Sequence, residues 1–230
     1  MKLSILSGGA ALGLVDAVRA RFESEAGCPI EGEFGAVGAM KEKLLAGTEC
    51  DIVILSRKLV DGLADAGQVQ PGSARDLGVV STGVGVKAGD PAVAVDTPAA
   101  FGQALQDADA VYVPDMQRST AGIHMKKVFQ QLGVLDGIAA KIREFPNGAT
   151  AMKAMAAAPG RPVGCTQITE ILYSPGVQAV GLLPRGCELD TVYTAAVAAG
   201  ARQAGLARKL IEMLTDSSLD TYKNAHGFRV

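Results

Sequence analysis

The sequence predicts an α/β protein built on mostly parallel sheets, and three observations carry that prediction. Apolar runs alternate with helix-period segments along the chain, the order that lays helices on the faces of a parallel sheet. Four times, a short apolar run gives way to a helix through a turn of small or polar residues. Two longer β-type stretches, one interrupted by Gly83 and Gly85, have the length and glycine placement of strands that bend or cross between lobes.

The first run, Leu3-Ser4-Ile5-Leu6, reads as a buried strand. Past Ser7-Gly8-Gly9-Ala10-Ala11, helical spacing puts Val15, Val18 and Phe22 on one face, with Asp16, Arg19, Arg21, Glu23 and Glu25 on others. A strand from Ile30 to Phe34 passes through Gly35-Ala36-Val37-Gly38 into a helix from Ala39 to Ala46. Asp51 to Leu55 is a near-continuous apolar run, as burial on both faces requires. Asp51 and Ser56 bracket it in turn or cap positions, and the next helix runs to Ala66, stopped by Gly67. Leu77 to Lys87 is the first long β segment. Thr97 and Pro98 form the cap and first residue of a helix to Gln106.

Beyond a strand from Ala110 to Val113, the turn Pro114 to Gly122 leads into a helix bearing Met125, Val128, Phe129 and Leu132, ended by Gly133. Lys141 to Phe145 is a further strand. Pro146-Asn147-Gly148-Ala149-Thr150 then opens a helix from Ala149, with Met152 and Met155, that stops at Pro159-Gly160. Val163 to Thr166 and Gln178 to Leu183 are short strands, and Leu189 to Val197 is the second long segment. Leu206, Leu210, Met213 and Leu214 mark a closing helix, followed by a short one from Ser217 to His226.

The four turns share one physical property. The first turn of a helix has backbone N–H groups without intrahelical partners, and the macrodipole leaves that end partly positive. Small side chains let an anion approach those donors. Four such ends converging on one anion is the functional hypothesis the pattern suggests.

Composition narrows the alternatives. Hydrophobic content of 48% with 20% charge excludes wholesale disorder. A formal charge of −2, without a Lys/Arg block, argues against a nucleic-acid surface. Aromatic content of 4% with no Trp disfavours an aromatic sugar platform. Cys28, Cys50, Cys165 and Cys187 are widely spaced and only His124 and His226 supply imidazoles, so no metal site is expected. The thiols read as buried and reduced, with a Cys165–Cys187 disulfide left open. Gly8, Gly9 and Gly13 do not form a dinucleotide fingerprint and no G-K-[ST] is present, so no cofactor is expected. No apolar run approaches the ~20 residues of a membrane span. Without a leader before Leu3 a cytoplasmic protein is expected, or a periplasmic one if Met1 replaces a removed leader.

Several segments together carry a family likeness: Ser7-Gly8-Gly9-Ala10, Phe34-Gly35-Ala36-Val37-Gly38-Ala39-Met40, Asp51-Ile52-Val53-Ile54-Leu55-Ser56, Gly164 to Glu170, Ala195-Ala196-Val197 and Ala225-His226-Gly227-Phe228. In this order they resemble the molybdate-binding-protein-like group of solute receptors, of type II periplasmic-binding-protein fold. The resemblance implies two α/β lobes, residues 1–82 plus 190–230 and residues 83–189. Two crossing strands join them, and a ligand is clamped in the interlobe cleft by hinge closure. It also implies a permease of the ABC type as partner if the protein is exported.

The resemblance further implies serine hydroxyls in the first two loops and a tyrosine in the last to hold a tetrahedral oxyanion. The matching positions here are Gly9 and Ala10, Ala36 and Val37, and Gln167. Three sets of side-chain donors are missing, while Arg118, Ser119, Thr120 and Gln167 offer donors to a carboxylate. The expected function is therefore binding of a small anion, an organic carboxylate rather than molybdate. Gly8, Gly9, Ala10, Ala36, Val37, Gly38, Arg118, Ser119, Thr120, Asn147 and Gln167 are the expected ligand-binding residues. The alternative is an enzyme resembling aconitate isomerase, which needs a base and donors for enediolate charge. His124, Ser119 and Glu170 are its candidates, with Asp115 and Thr120 beside them. Each also has a plain structural reading: Arg118 paired with Asp115, His124 on a helix surface, Asp115 and Glu170 as caps or solvated.

Overall fold

A computed structural model describes residues 2–230. In chain order the elements are β1 (Leu3–Gly8), α1 (Leu12–Ala26), β2 (Ile30–Gly35), α2 (Val37–Leu45), β3 (Ile52–Ser56), α3 (Arg57–Asp65) and β4 (Arg75–Lys87). Then come α4 (Pro98–Asp107), β5 (Val111–Pro114), α5 (Thr120–Gln131), α6 (Leu135–Ile138), β6 (Ile142–Phe145), α7 (Gly148–Ala156) and β7 (Val163–Gln167). The rest are α8 (Ile168–Tyr173), β8 (Val177–Leu182), β9 (Asp190–Val197), α9 (Ala204–Thr215), α10 (Asp220–Ala225) and β10 (Phe228–Arg229). A 3-10 turn, Gly9–Ala11, links β1 to α1. The chain divides into two compact units, Met1–Val79 with Thr191–Val230, and Val80–Asp190.

Unit one is a sheet in the order β2-β1-β3-β9. β1 runs parallel to β2 and β3, with Gly8 opposite Gly35 and Ser7 opposite Ile54, so three strands end at one edge. β9 runs antiparallel to β3. Ile52 to Leu55 are all fully buried, which is why that strand reads as an unbroken apolar run. From α1, Leu14, Val15, Val18 and Phe22 are buried, and full burial of a side chain such as Phe22 stabilises by about 1.5–3 kcal/mol. Asp51 ties unit one together. Its carboxylate accepts the amide and hydroxyl of Ser4, each at 2.9 Å, and the amide of Gln203 at 2.8 Å.

Unit two orders its strands β4-β7-β5-β6, with β8 also on β4. β5 is parallel to β6 and β7, whereas β4 is antiparallel to β7 and β8. Both sheets are thus mixed: β1, β2 and β3, and likewise β5, β6 and β7, are parallel, whereas β9 opposes β3 and β4 opposes β7 and β8. A register shift lies between Val84 and Gly85, where the sequence places its bend. Phe101, Leu105, Val111, Val113, Met125, Val128 and Phe129 form the core of this unit.

The element boundaries need few corrections. α2 begins at Val37 rather than Ala39, and α7 at Gly148 rather than Ala149. α6, four residues too short to show a helical period, was not anticipated. Thr97 accepts the amide of Ala100 at 3.1 Å ahead of Pro98, as the capping pattern requires. All four cysteines are buried free thiols, so the disulfide left open is not formed. Among the described residues no helix is long and apolar enough to cross a membrane.

Candidate functional site

In unit one the parallel strands β1, β2 and β3 deliver three helix starts to one sheet edge. The 3-10 turn at Gly9, α2 at Val37 and α3 at Arg57 all begin without a side-chain cap. Their first amides therefore have no serine, threonine or aspartate oxygen set against them, unlike most helix starts. Ala10, Ala11, Ala36 and Val37 are buried there. Gly8 holds the cluster together: a Cβ on it would stand 2.7 Å from Val37 Cγ1 and 3.0 Å from Tyr193 Cε1. The expected residues Gly8, Gly9, Ala10, Ala36, Val37 and Gly38 are thus neighbours. Tyr193 of β9 was not anticipated, because only the antiparallel pairing of β9 with β3 brings it in.

In unit two the ends of β5, β6 and β7 also share an edge, because these strands are parallel. At the first of them Asp115 organises the turn. One carboxylate oxygen accepts the amides of Gln117 and Arg118, each at 2.8 Å, and the other accepts Arg118 Nε at 2.7 Å. Burial alone would raise this carboxyl, but those amides and the guanidinium together hold it below the usual range. Arg118 is half exposed and committed to this pair. Ser119 caps α5 through the amide of Gly122 at 3.5 Å, a long bond. His124 lies in the second turn, its Nε2 2.8 Å from the carbonyl oxygen of Cys187. A carbonyl can only accept, so Nε2 donates, and the ring ties α5 to the segment after β8.

The second and third ends form one corner. Asn147 caps α7, its side-chain oxygen accepting the amide of Thr150 at 2.8 Å. Glu170 of α8 fills the remaining amides of that first turn. Its Oε1 accepts Gly148 N at 3.1 Å, Ala149 N also bonds to it, and Thr166 Oγ1 donates to Oε2 at 2.5 Å. Glu170 is 5% exposed, so the solvated alternative for it is corrected and the capping one is met, across the chain rather than within its own helix. Burial pushes its carboxyl above the usual range, against the Thr166 hydroxyl and the amides of Ala149, Gly148 and Gln167. A Cβ at Gly148 would overlap both Glu170 Oε2 and Thr166 Oγ1, so only glycine fits there.

Gln167 is buried at the same corner, paired in register with Thr82 of β4. The hydroxyls of Thr82 and Thr169 are buried with no hydrogen-bond partner among the described residues. Neither threonine was singled out from sequence. Thr82 interrupts an apolar strand beside Ser81, which is the signal that could have found it.

Comparison with known proteins places these observations. The family described as bacterial extracellular solute-binding protein matches residues 3–229. An aconitate isomerase of Pseudomonas sp is 27% identical over 218 residues, covering 92% of this chain and 81% of that protein. The periplasmic molybdate-binding protein of Azotobacter vinelandii shares the fold with a TM-score of 0.81 at 17% identity, covering 100% of this chain and 99% of the other. The sulfate-binding protein SubI of Mycobacterium tuberculosis H37Rv does so with a TM-score of 0.74 at 15% identity, covering 100% and 86%. The expected type II periplasmic-binding-protein-like, two-lobed α/β fold is therefore the observed one. The cytoplasmic placement is corrected: the matched family is one of extracellular solute-binding proteins, which points outside the cytoplasm. That placement rested on the residues before β1, which carry no information about compartment.

Proposed function

The chain belongs to the family of bacterial extracellular solute-binding proteins, and from that premise we propose that it binds a small organic carboxylate rather than molybdate. One observation carries the choice. The uncapped helix starts at Gly9 and Val37 offer backbone amides at an edge where Gly9, Ala10, Ala36 and Val37 have no hydroxyl to add. Each missing hydrogen bond to an ionised ligand forfeits about 1.5–3 kcal/mol, which a tetrahedral dianion tolerates poorly. A carboxylate presents two oxygens and one charge, matched to amides at a helix start. Arg118 is already paired with Asp115, so the reading rests on the amides more than on its charge. In this role an ABC-type permease is the partner.

A thermal-shift panel tests it, with molybdate, tungstate, sulfate, phosphate and small mono-, di- and tricarboxylates. A ligand at ~100 times its dissociation constant adds about 2.7 kcal/mol of stability. Stabilisation by carboxylates and not by molybdate or sulfate is the expected result; the reverse pattern removes the reading.

A second reading, carboxylate isomerisation, is favoured by the aconitate isomerase relative and by the buried carboxyl of Glu170. A carboxyl held above the usual range keeps its proton to higher pH than an ordinary one, as a group that passes a proton between carbons needs. Incubation with cis- and trans-aconitate, followed by chromatography, decides it. Turnover abolished by Glu170→Gln is its signature.

A further inference from the structure

Three helix starts meet at the edge of the unit-one sheet, and one residue of β9 borders all of them. Gly8 stands just ahead of the 3-10 turn, Val37 opens α2, and Ser56 stands just ahead of α3. Tyr193 is paired in register with Ser56, and its Cε1 lies 3.0 Å from where a Cβ on Gly8 would be. Val37 Cγ1 lies 2.7 Å from that same point, and the carbonyl oxygen of Ile54 on β3 lies 3.7 Å from it. All of these residues belong to unit one.

Tyr193 is 3% exposed. A buried aromatic ring is a large, stiff body in a close-packed interior, so removing it lets its neighbours move. At most helix starts a side-chain oxygen on the cap residue fixes the first turn. At these three none does, and packing must hold the turns instead. Gly8, with no side chain, lets the ring and Val37 close on the end of β1. Amides that bond one carboxylate together must be spaced to its two oxygens in advance, since ordering them on binding costs affinity.

We propose that Tyr193 is a positioning residue for the ligand. Its ring, packed at Gly8 beside Val37, sets the spacing of the amides at the Gly9 turn and the α2 start so that both bond one carboxylate. The role belongs to the ring, because the close approach to Gly8 is made by Cε1. The inference rests on the carboxylate-binding reading above and deepens it by naming what holds the binding amides in place.

Calorimetric titration tests it with acetate, succinate and citrate, the probe that binds wild type most tightly being carried into the variants. Tyr193→Leu, which removes the ring, is expected to weaken that probe at least tenfold. Tyr193→Phe keeps the ring and is expected to stay within threefold of wild type. Phe22→Leu supplies the comparison for a purely structural effect, since it removes a fully buried ring from the later half of α1 in the same unit. It is expected to lower the melting temperature and to leave affinity within threefold. Tyr193→Leu binding as tightly as Phe22→Leu overturns the proposal. A tenfold loss in Tyr193→Phe also overturns it, by moving the role to the hydroxyl. Should Tyr193→Leu fail to fold, Val37→Ala withdraws Cγ1 from the same point and is expected to weaken the probe at least threefold. Unchanged affinity in that variant then overturns the proposal. Silence of wild type toward all three probes removes the carboxylate reading and this inference with it, whereas wild-type binding that Tyr193→Leu leaves unchanged removes the inference alone.

Discussion

Glu170 Oε1 and Gly148 N meet at 3.1 Å across twenty-two residues of sequence, and the contact makes one helix supply the cap of another. It also fixes what residue 148 can be. Gly148→Ala puts a methyl group into the Glu170 and Thr166 oxygens and is expected to cost about 1–3 kcal/mol, the usual range for overpacking. Urea unfolding followed by circular dichroism measures it. A loss confined to a few tenths of a kcal/mol, as for an exposed helical glycine, would show that the carboxyl is not held in place.

The same carboxyl gives stability a pH dependence of known sign. Its folded value lies above the ordinary one, so the native state holds the proton more tightly than the unfolded state. Its contribution is full below the ordinary carboxylate value and is lost as pH rises through the raised one. Melting temperature against pH is expected to fall over that window in wild type, and to fall less in Glu170→Gln. Parallel curves would falsify the assignment.

Asp115 behaves in the opposite sense. Its carboxyl is held below the usual range, so its contribution is present above the ordinary value and is lost as pH falls through the depressed one. Asp115→Ala removes acceptors from two amides and the Arg118 guanidinium, at an expected cost of about 1–3 kcal/mol. Chemical denaturation at pH 7 reads the loss, and repeating it near pH 3 is expected to show a smaller difference.

Gly8 tests the amide site without touching the α7–β7 corner. Gly8→Val forces branched carbons against Val37 and Tyr193, so α2 must shift its first turn. Carboxylate affinity is expected to fall at least tenfold, while the far-ultraviolet spectrum stays that of the wild type. Unaltered affinity would place the ligand elsewhere.

Thiol chemistry offers a check on burial. Cys50 donates to the carbonyl of Ile52 at 2.8 Å, and burial pushes its thiol up to about 12. Cys165 is raised by burial too. Both are expected to resist an aromatic disulfide reagent at pH 8 and to react fully in guanidinium, since the thiolate is the reactive form. Rapid labelling of either in the native protein would contradict the packing.

What the sequence made legible was local. The cap at Thr97 and Pro98, the apolar run Ile52 to Leu55 and the bend near Gly85 are each written in adjacent residues. Strand direction was not, because side-chain alternation is the same whether β9 runs with β3 or against it. α6 was missed because Leu135 to Ile138 is barely one turn. At the site, the small residues of the first two loops announced open amides, but nothing local to Asn147 and Gly148 said that α7 was already filled. That information sits at Glu170, and only the fold brings it back. His124 was equally opaque, since its partner is a main-chain oxygen at Cys187.

The tie from Asp51 to both Ser4 and Gln203 has a consequence for how the molecule is made. Unit one draws on Met1–Val79 and on Thr191–Val230, whereas unit two is one uninterrupted stretch. During synthesis the residues that close unit one arrive last, after all of unit two has left the ribosome. Until Gln203 emerges, one oxygen of Asp51 lacks its amide and β3 lacks β9 along one side. The amino-terminal third therefore stays incomplete until the final stretch is made.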